Sequence, residues 1–293
     1  MGWYRLWLVA VYAVLLLLWR KKSLRKRAAL FLSVLAALFV LCVMLHRTLA
    51  TSGLGVEVVD VGQGQSVLLL SRQSAAAVDC GGYNAGNALA DAMYDAVEGT
   101  LDVVVLTHFD SDHMDGLEQL FRRAEVRKLV VPDVEDDSGG RAQVEGLCRS
   151  HDVPLRAISE DETLTIVEMN LRLMAMTGEG ADNDTGLAVL AEKEDYSVLI
   201  TGDMNEEAEL ELLRRESLGQ VNVLVAGHHG SRTSSGEDFL KQIQPETAVI
   251  SCGEGNRYGH PHQETLERLE AAHCQVRRTD REGRVSLRAP VTE

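Results

Sequence analysis

His108, Asp110, Asp112 and His113 fall within six residues of one another, in the stretch LTHFDSDHMDG at 106–116. With Asp115 this makes three carboxylates crowded behind an apolar run, and carboxylates that close repel each other unless a positive charge sits among them. Imidazoles interleaved with carboxylates are the mixed N/O donor set of a divalent transition-metal site. A metal bound there lowers the pKa of its water towards about 7, and two metals together clamp the oxygens of an in-line displacement. The spacing does not fit a calcium hand, because Met114, Asp115 and Phe121 occupy positions that need an oxygen ligand, a glycine and a closing glutamate. A helix N-cap accounts for one carboxylate, not for two histidines and three acids.

Three further clusters carry chemistry. Asp203 in ITGDMNEE reads, taken alone, as an N-cap for the helical pattern Glu206–Arg215. His228 and His229 form a doublet in AGHHGS, followed by Ser231. Asn256, Arg257, Tyr258 and His260 lie in GNRYGHPH, among glycines that allow close backbone approach. GQGQSV at 62–67 is not a dinucleotide loop, since Val67 stands at the third glycine position and no helical pattern follows. No GxSxG elbow occurs, which argues against a serine hydrolase.

The elements that position these clusters are short apolar runs. Strands are predicted at Val56–Asp60, Ser66–Leu70, Ala76–Asp79, Asp102–Thr107, Lys128–Val131, Leu171–Met176, Gly186–Leu190, Ser197–Thr201, Val221–Ala226 and Thr247–Ser251. Helices are predicted at Asn87–Val97, Leu117–Arg123, Glu206–Arg215 and Gln263–Ala272. Each polar cluster follows the end of a strand, so the ends converge on one rim of a layered α/β sandwich.

The first fifty residues have a different composition. Trp3–Trp19 and Ala28–Leu45 are apolar runs of seventeen and eighteen residues, near the roughly 20 needed to span a bilayer as helix. RKKSLRKR, residues 20–27, lies between them and favours the cytoplasmic side. The expected organisation is a transmembrane hairpin at 1–49 and one domain at 50–293, outside the cell and tethered to the membrane. Residues 1–50 hold eight Lys/Arg and no Asp/Glu, so the remainder carries a net charge of −23 and resists non-specific binding to polyanions. The five cysteines are scattered without a CxxC pair and read as buried hydrophobes.

Taken in order, DVGQGQS (60–66), VDCGG (78–82), THFDSDHMDG (107–116), NDTGLAVL (183–190), ITGD (200–203), GHHGSRTS (227–234) and NRYGHPH (256–262) resemble the motifs of the metallo-β-lactamase fold. More closely, they resemble the metallo-hydrolase domain that ends the ComEC-type competence DNA-uptake proteins. The resemblance spans nearly all of residues 55–288 and implies a four-layer αββα sandwich with two divalent ions, zinc or manganese, at one edge. On that pattern His108 and Asp110 hold one ion, Asp112 and His113 the other, Asp203 bridges, and His228 completes the second. His229 then faces substrate, with the reverse assignment of the doublet left open. Gln65, Gly186 and Asp115 depart from the family pattern, which often has an acid, a serine and a glycine there.

The resulting expectation is a membrane-anchored metal-dependent hydrolase of phosphodiesters, acting on DNA. Asp112 and His260 are its catalytic residues, and His229, Ser231, Asn256 and Tyr258 contact substrate. Two alternatives stand beside it: a hydrolase of another extracytoplasmic ester, and a non-catalytic partner of a separate DNA-uptake channel subunit.

Overall fold

The computed structural model describes residues 9–13, 25–50, 53–72, 74–96, 99–177 and 185–290, with side chains in the first long helix described over 29–42. The chain divides into two compact units, Met1–Ser52 and Gly53–Glu293.

In the second unit the strands are β1 (Gly55–Val58), β2 (Val67–Ser71), β3 (Ser74–Val78), β4 (Thr100–Leu101), β5 (Val103–Val105), β6 (Glu125–Val126), β7 (Leu129–Pro132) and β8 (Leu155–Ile158). They continue as β9 (Glu162–Ile166), β10 (Met169–Thr177), β11 (Thr185–Lys193), β12 (Tyr196–Ile200), β13 (Val223–Val225), β14 (Thr247–Ile250), β15 (Gln275–Arg278) and β16 (Val285–Arg288). One sheet runs β16-β1-β2-β3-β5-β7-β8 and the other β15-β14-β13-β12-β11-β10-β9.

Alternation along the strands builds the layers. Val103 and Val105 point between the sheets, where they meet Leu171, Val189, Val198 and Val223. Val104 points the other way, onto Leu89, Leu117, Leu120 and Val144 of the outer helices. In the second sheet Val223 and Val225 face inward while Leu224 packs outward with Leu212, Leu240 and Leu269. Side chains of period two serve two cores at once, which is why these strands read as continuous apolar runs. The result is the αββα sandwich expected from the sequence.

The transmembrane hairpin expected in front of it is not found. Among the described residues no helix is long and apolar enough to cross a membrane. Most of Trp3–Trp19 and residues 20–24 of the basic loop lie outside the described residues. The expectation that the domain lies outside the cell rests on the basic loop at 20–27, which lies mostly outside the described residues.

The parallel strands decide where the chemistry goes. β3, β5, β7 and β8 run parallel in one sheet, and β12, β13, β14 and β15 in the other. The chain leaves β3 at Asp79, β5 towards His108, β12 towards Asp203, β13 towards His228 and β14 at Ser251. These C-terminal strand ends form a single edge, the usual position of sites in α/β sheets.

Candidate metal centre

The metal loop is built by backbone contacts from two other loops. Gln65 N donates to the Asp112 carbonyl at 2.9 Å, Cys80 N to that of His113 at 2.8 Å, and Gly116 N to that of Cys80 at 2.7 Å. A Cβ on Gly81 would lie 1.6 Å from the Asp112 carbonyl oxygen, so the approach requires glycine. GQGQS and VDCGG are therefore the buttress of the HFDSDH loop. Gly186 has a similar reason: its φ is +135° and a Cβ would meet the Thr107 carbonyl at 2.5 Å.

Hydrogen bonds set the direction of three imidazoles. His113 Nδ1 lies 2.8 Å from Asp79 Oδ2, and His229 Nδ1 lies 2.9 Å from the Ser251 carbonyl. Both acceptors need a proton on Nδ1, which in the neutral ring leaves the lone pair on Nε2. Thr107 spends its hydroxyl proton on Asp79 Oδ2 at 2.8 Å, so at 3.0 Å it accepts from His108 Nδ1, and the same tautomer follows. A carboxylate or carbonyl behind each ring is the arrangement that orients metal-binding histidines. Asp79 is fully buried and also receives Gln65 Nε2 at 2.7 Å and Thr107 N at 2.7 Å.

These three Nε2 atoms, with that of His228, converge on Asp203. His113 Nε2 is 3.1 Å and His229 Nε2 3.8 Å from its Oδ1, whereas His108 Nε2 is 4.0 Å and His228 Nε2 3.5 Å from its Oδ2. His229 Nε2 is also 3.4 Å from Asp112 Oδ2. Despite these distances, the Nε2 atoms of His108, His113 and His229 and Oδ1 of Asp203 are buried without an aligned hydrogen-bond partner. Leaving such groups unsatisfied costs about 1–3 kcal/mol each. A divalent cation satisfies them together, so the donor set fits a metal. Two groups have ligand atoms within 4.8 Å of one another: His108, His113 and Asp203, and Asp112, His113 and His229.

The electrostatics follow from the crowding. Burial opposes charge on Asp203, but His113, His229 and His108 outweigh it and hold the carboxyl well below its ordinary range. Asp112, likewise disfavoured by burial, is drawn down to about 2 by His229 and His113. Burial works against an imidazolium at His113 too, yet Asp203 and Asp79 raise its pKa well above the ordinary value. His108 is pushed down to about 4 by burial and by His113.

The other residues singled out in the sequence take varied places. Asp203 is not a cap: Asn205 caps the helix Glu206–Arg215, its Oδ1 accepting from Ala208 N at 2.9 Å, which leaves Asp203 for the centre. Asp110 stands at the rim with its side chain 48% exposed and Oδ2 3.7 Å from His108 Nε2, outside both tight groups. His228 and His229 both have left-handed backbone, φ 48° and 55°, and His229 Nε2 is the more enclosed of the two. Ser231 is buried, bonding Thr233 Oγ1. Asn256 is occupied by its own loop, donating to the Gly253 and His260 carbonyls and accepting from Tyr258 N and His260 N. His260 lines the cleft 5.6 Å from the His228 ring, and burial together with His228, His229 and His262 pushes it down to about 4.

Above these groups opens a cleft of about 580 Å³ lined by Gln63, Asp110, Asp112, Asp203, His229 and His260, among others. Sequence reasoning did not single out Asp79 or Ser251, although VDCGG carried the former. Their signal lies in a contact across the fold.

Residues 59–254 match the family model for the metallo-beta-lactamase superfamily. The chain is 33% identical over 190 residues to ComE operon protein 3 of Bacillus subtilis, covering 64% of this chain and 24% of that protein. It is 30% identical over 230 residues to competence protein ComA of Neisseria gonorrhoeae, covering 78% and 31%. It thus spans about a quarter to a third of the length of these relatives. Among solved structures, the metallo-beta-lactamase fold protein YhfI of Bacillus subtilis superposes with a TM-score of 0.58 at 13% identity, over 81% of this chain and 100% of that one. With the motifs at the C-terminal strand edge and a matched model over two thirds of its length, the chain belongs to the metallo-beta-lactamase superfamily.

Proposed function

We propose that this chain is a metal-dependent phosphodiesterase that cleaves DNA. The observation that carries the reading is the set of four buried ligand atoms without an aligned hydrogen-bond partner, at His108, His113, His229 and Asp203, the last two of which line an open cleft. DNA is favoured among phosphodiesters by the competence name of the gonococcal relative.

The donor geometry supports two ions. Oδ1 of Asp203 faces His113 and His229, to which Asp112 adds a carboxylate, and Oδ2 faces His108 and His228, with Asp110 beside His108. In this assignment Asp203 would serve both ions, and each histidine of the doublet would hold a different one. Two divalent ions, when bound, supply ionised water near neutral pH and positive charge against the phosphodiester. The chain's own groups do the rest. Asp79 and Ser251 hold the rings, Asp112 fixes the floor beside the reacting centre, and His260 on the wall contacts the leaving oxygen.

The test is hydrolysis of bis(p-nitrophenyl) phosphate and of a DNA oligonucleotide by the full chain, with Mn²⁺ or Zn²⁺ supplied separately and with EDTA. Turnover should need metal and be lost in Asp203→Ala. His260→Ala should keep its metal content and lose about 10²-fold in turnover, the low end for a group acting on the leaving atom. No turnover with either metal would overturn the reading.

A further inference from the structure

GQGQS carries two glutamines, and only one of them braces the metal loop. In an extended chain residues 63 and 65 would point to the same face. Gly62 and Gly64 interrupt that alternation with φ +74° and +149°, backbone that glycine adopts readily. Gln65 is buried with its Nε2 on Asp79, whereas Gln63 is half-buried and lines the cleft over the centre.

The loop that carries Gln63 is fastened on both sides of the donor group Asp112, His113 and His229. Gln65 N donates to the Asp112 carbonyl at 2.9 Å, and the Ser251 hydroxyl donates to the Gly64 carbonyl at 2.7 Å. Ser251 is also the residue whose carbonyl orients His229. A Cβ on Gly253 would lie 2.8 Å from Gln63 N, so the chain after Ser251 packs directly against the glutamine.

The side chain itself has one fastening. Gln63 Oε1 accepts from Gly253 N at 3.4 Å, and a backbone N–H there requires the oxygen on that side of the amide. Nε2, with two protons to donate, is left for the cleft.

An anion entering the cleft meets few such groups. No Lys or Arg is among the described residues that line it. Of its neutral donors, Ser138 spends its proton on Asp136, Ser111 is exposed, and Gln143 stands on the helix Gly140–His151 outside the sheets. Glutamine amides are among the side chains that hold phosphate oxygens, and a donor fixed before the substrate arrives needs no reordering.

We propose that Gln63 is a substrate-binding residue whose Nε2 donates to a non-bridging oxygen of the phosphodiester. This rests on the phosphodiesterase reading, and it divides the work of GQGQS: Gln65 braces the metal loop and Gln63 meets the substrate.

The experiment uses the full chain with Mn²⁺ and a dithymidine phosphonate in which a methylene replaces the leaving oxygen, so that both non-bridging oxygens are kept. Its binding is measured by calorimetry, beside turnover of bis(p-nitrophenyl) phosphate. Gln63→Met keeps the length of the side chain and removes its donors. It should weaken phosphonate binding by about tenfold and raise KM by a similar factor, with a smaller change in kcat, as loss of a hydrogen bond to a charged group does. Gln63→Glu keeps the shape but sets a carboxylate against the anion, and should weaken binding further. Both variants should keep the wild-type metal content and melting temperature. Loss of metal in Gln63→Met would make Gln63 a brace of the metal loop and overturn the proposal, as would wild-type binding and KM in that variant. Turnover that is indifferent to both variants sinks the inference alone. Phosphonate binding that depends on Gln63, without turnover, sinks the phosphodiesterase reading alone, and absence of both binding and turnover sinks the two together.

Discussion

At the scale of residues, the centre is a problem in aiming lone pairs. Each of three histidines spends Nδ1 on an acceptor behind it, and each Nε2 arrives at the same carboxylate. The two oxygens of Asp203 then sort the doublet, His229 to one side and His228 to the other. Adjacent residues reach opposite sides because both hold left-handed backbone, which costs on the order of 1–3 kcal/mol per residue and persists where its surroundings enforce it. Metal analysis of single variants checks the sorting. His229→Ala and His228→Ala should each retain about one of two ions, and Asp203→Ala should retain neither at full occupancy. Full metal content in His229→Ala would return that residue to a substrate-facing role.

At the scale of elements, the loop that carries the doublet is clamped from two helices. Glu209, on Glu206–Arg215, accepts from Ser235 N at 2.7 Å and Gly236 N at 2.9 Å. Arg268, on Gln263–Ala271, donates to the carbonyls of Arg232, Ser234 and Ser235 at 2.7–2.9 Å. One residue takes the amides and the other the carbonyls of the same turn. Burial pushes the Glu209 carboxyl up to about 8, with the Gly236 and Ser235 amides pulling it down. A pKa raised on folding gives stability that is full below the ordinary value of 4.5 and lost as pH rises through about 8. At about 1.4 kcal/mol per pKa unit, the wild type should lose on the order of a few kcal/mol between pH 5 and 9. Glu209→Gln cannot ionise, so its melting temperature, measured in EDTA, should fall less over the same range. Parallel curves would show that Glu209 is charged in the fold throughout.

At the scale of the molecule, the centre joins the two sheets. His108, Asp112 and His113 come from the loop after β5 in one sheet, and Asp203 and His229 from the ends of β12 and β13 in the other. A cation there binds the folded chain alone, and at a hundred times its dissociation constant contributes about 2.7 kcal/mol. A protein beginning at Gly53, the start of the second compact unit, should therefore fold by itself and melt about 5–10 °C higher with Mn²⁺ or Zn²⁺ than in EDTA. An unchanged melting temperature would mean that the ions do not couple the sheets. Much of this organisation is legible in the chain itself. VVVLT before HFDSDH, VLIT before GD and VLVA before GHHGS each announce a buried strand ending in polar residues, because a strand covered on both faces must be apolar throughout. Besides the two-residue strands β4 and β6, the strands that the sequence conceals are β8, β9, β15 and β16 at the sheet edges, where half-exposed side chains break the apolar pattern. The apolar runs near the N-terminus show the converse, since composition suggested membrane spans, yet among the described residues no helix is long and apolar enough to cross a membrane. Which of these side chains aim their donor atoms at one another was decided only by the tertiary fold. Composition places histidines and aspartates near one edge, but a lone pair points where its hydrogen-bond partner directs it. Those partners, Asp79 for His113 and Ser251 for His229, lie 34 and 22 residues away in the chain and meet their rings only once both sheets are in place.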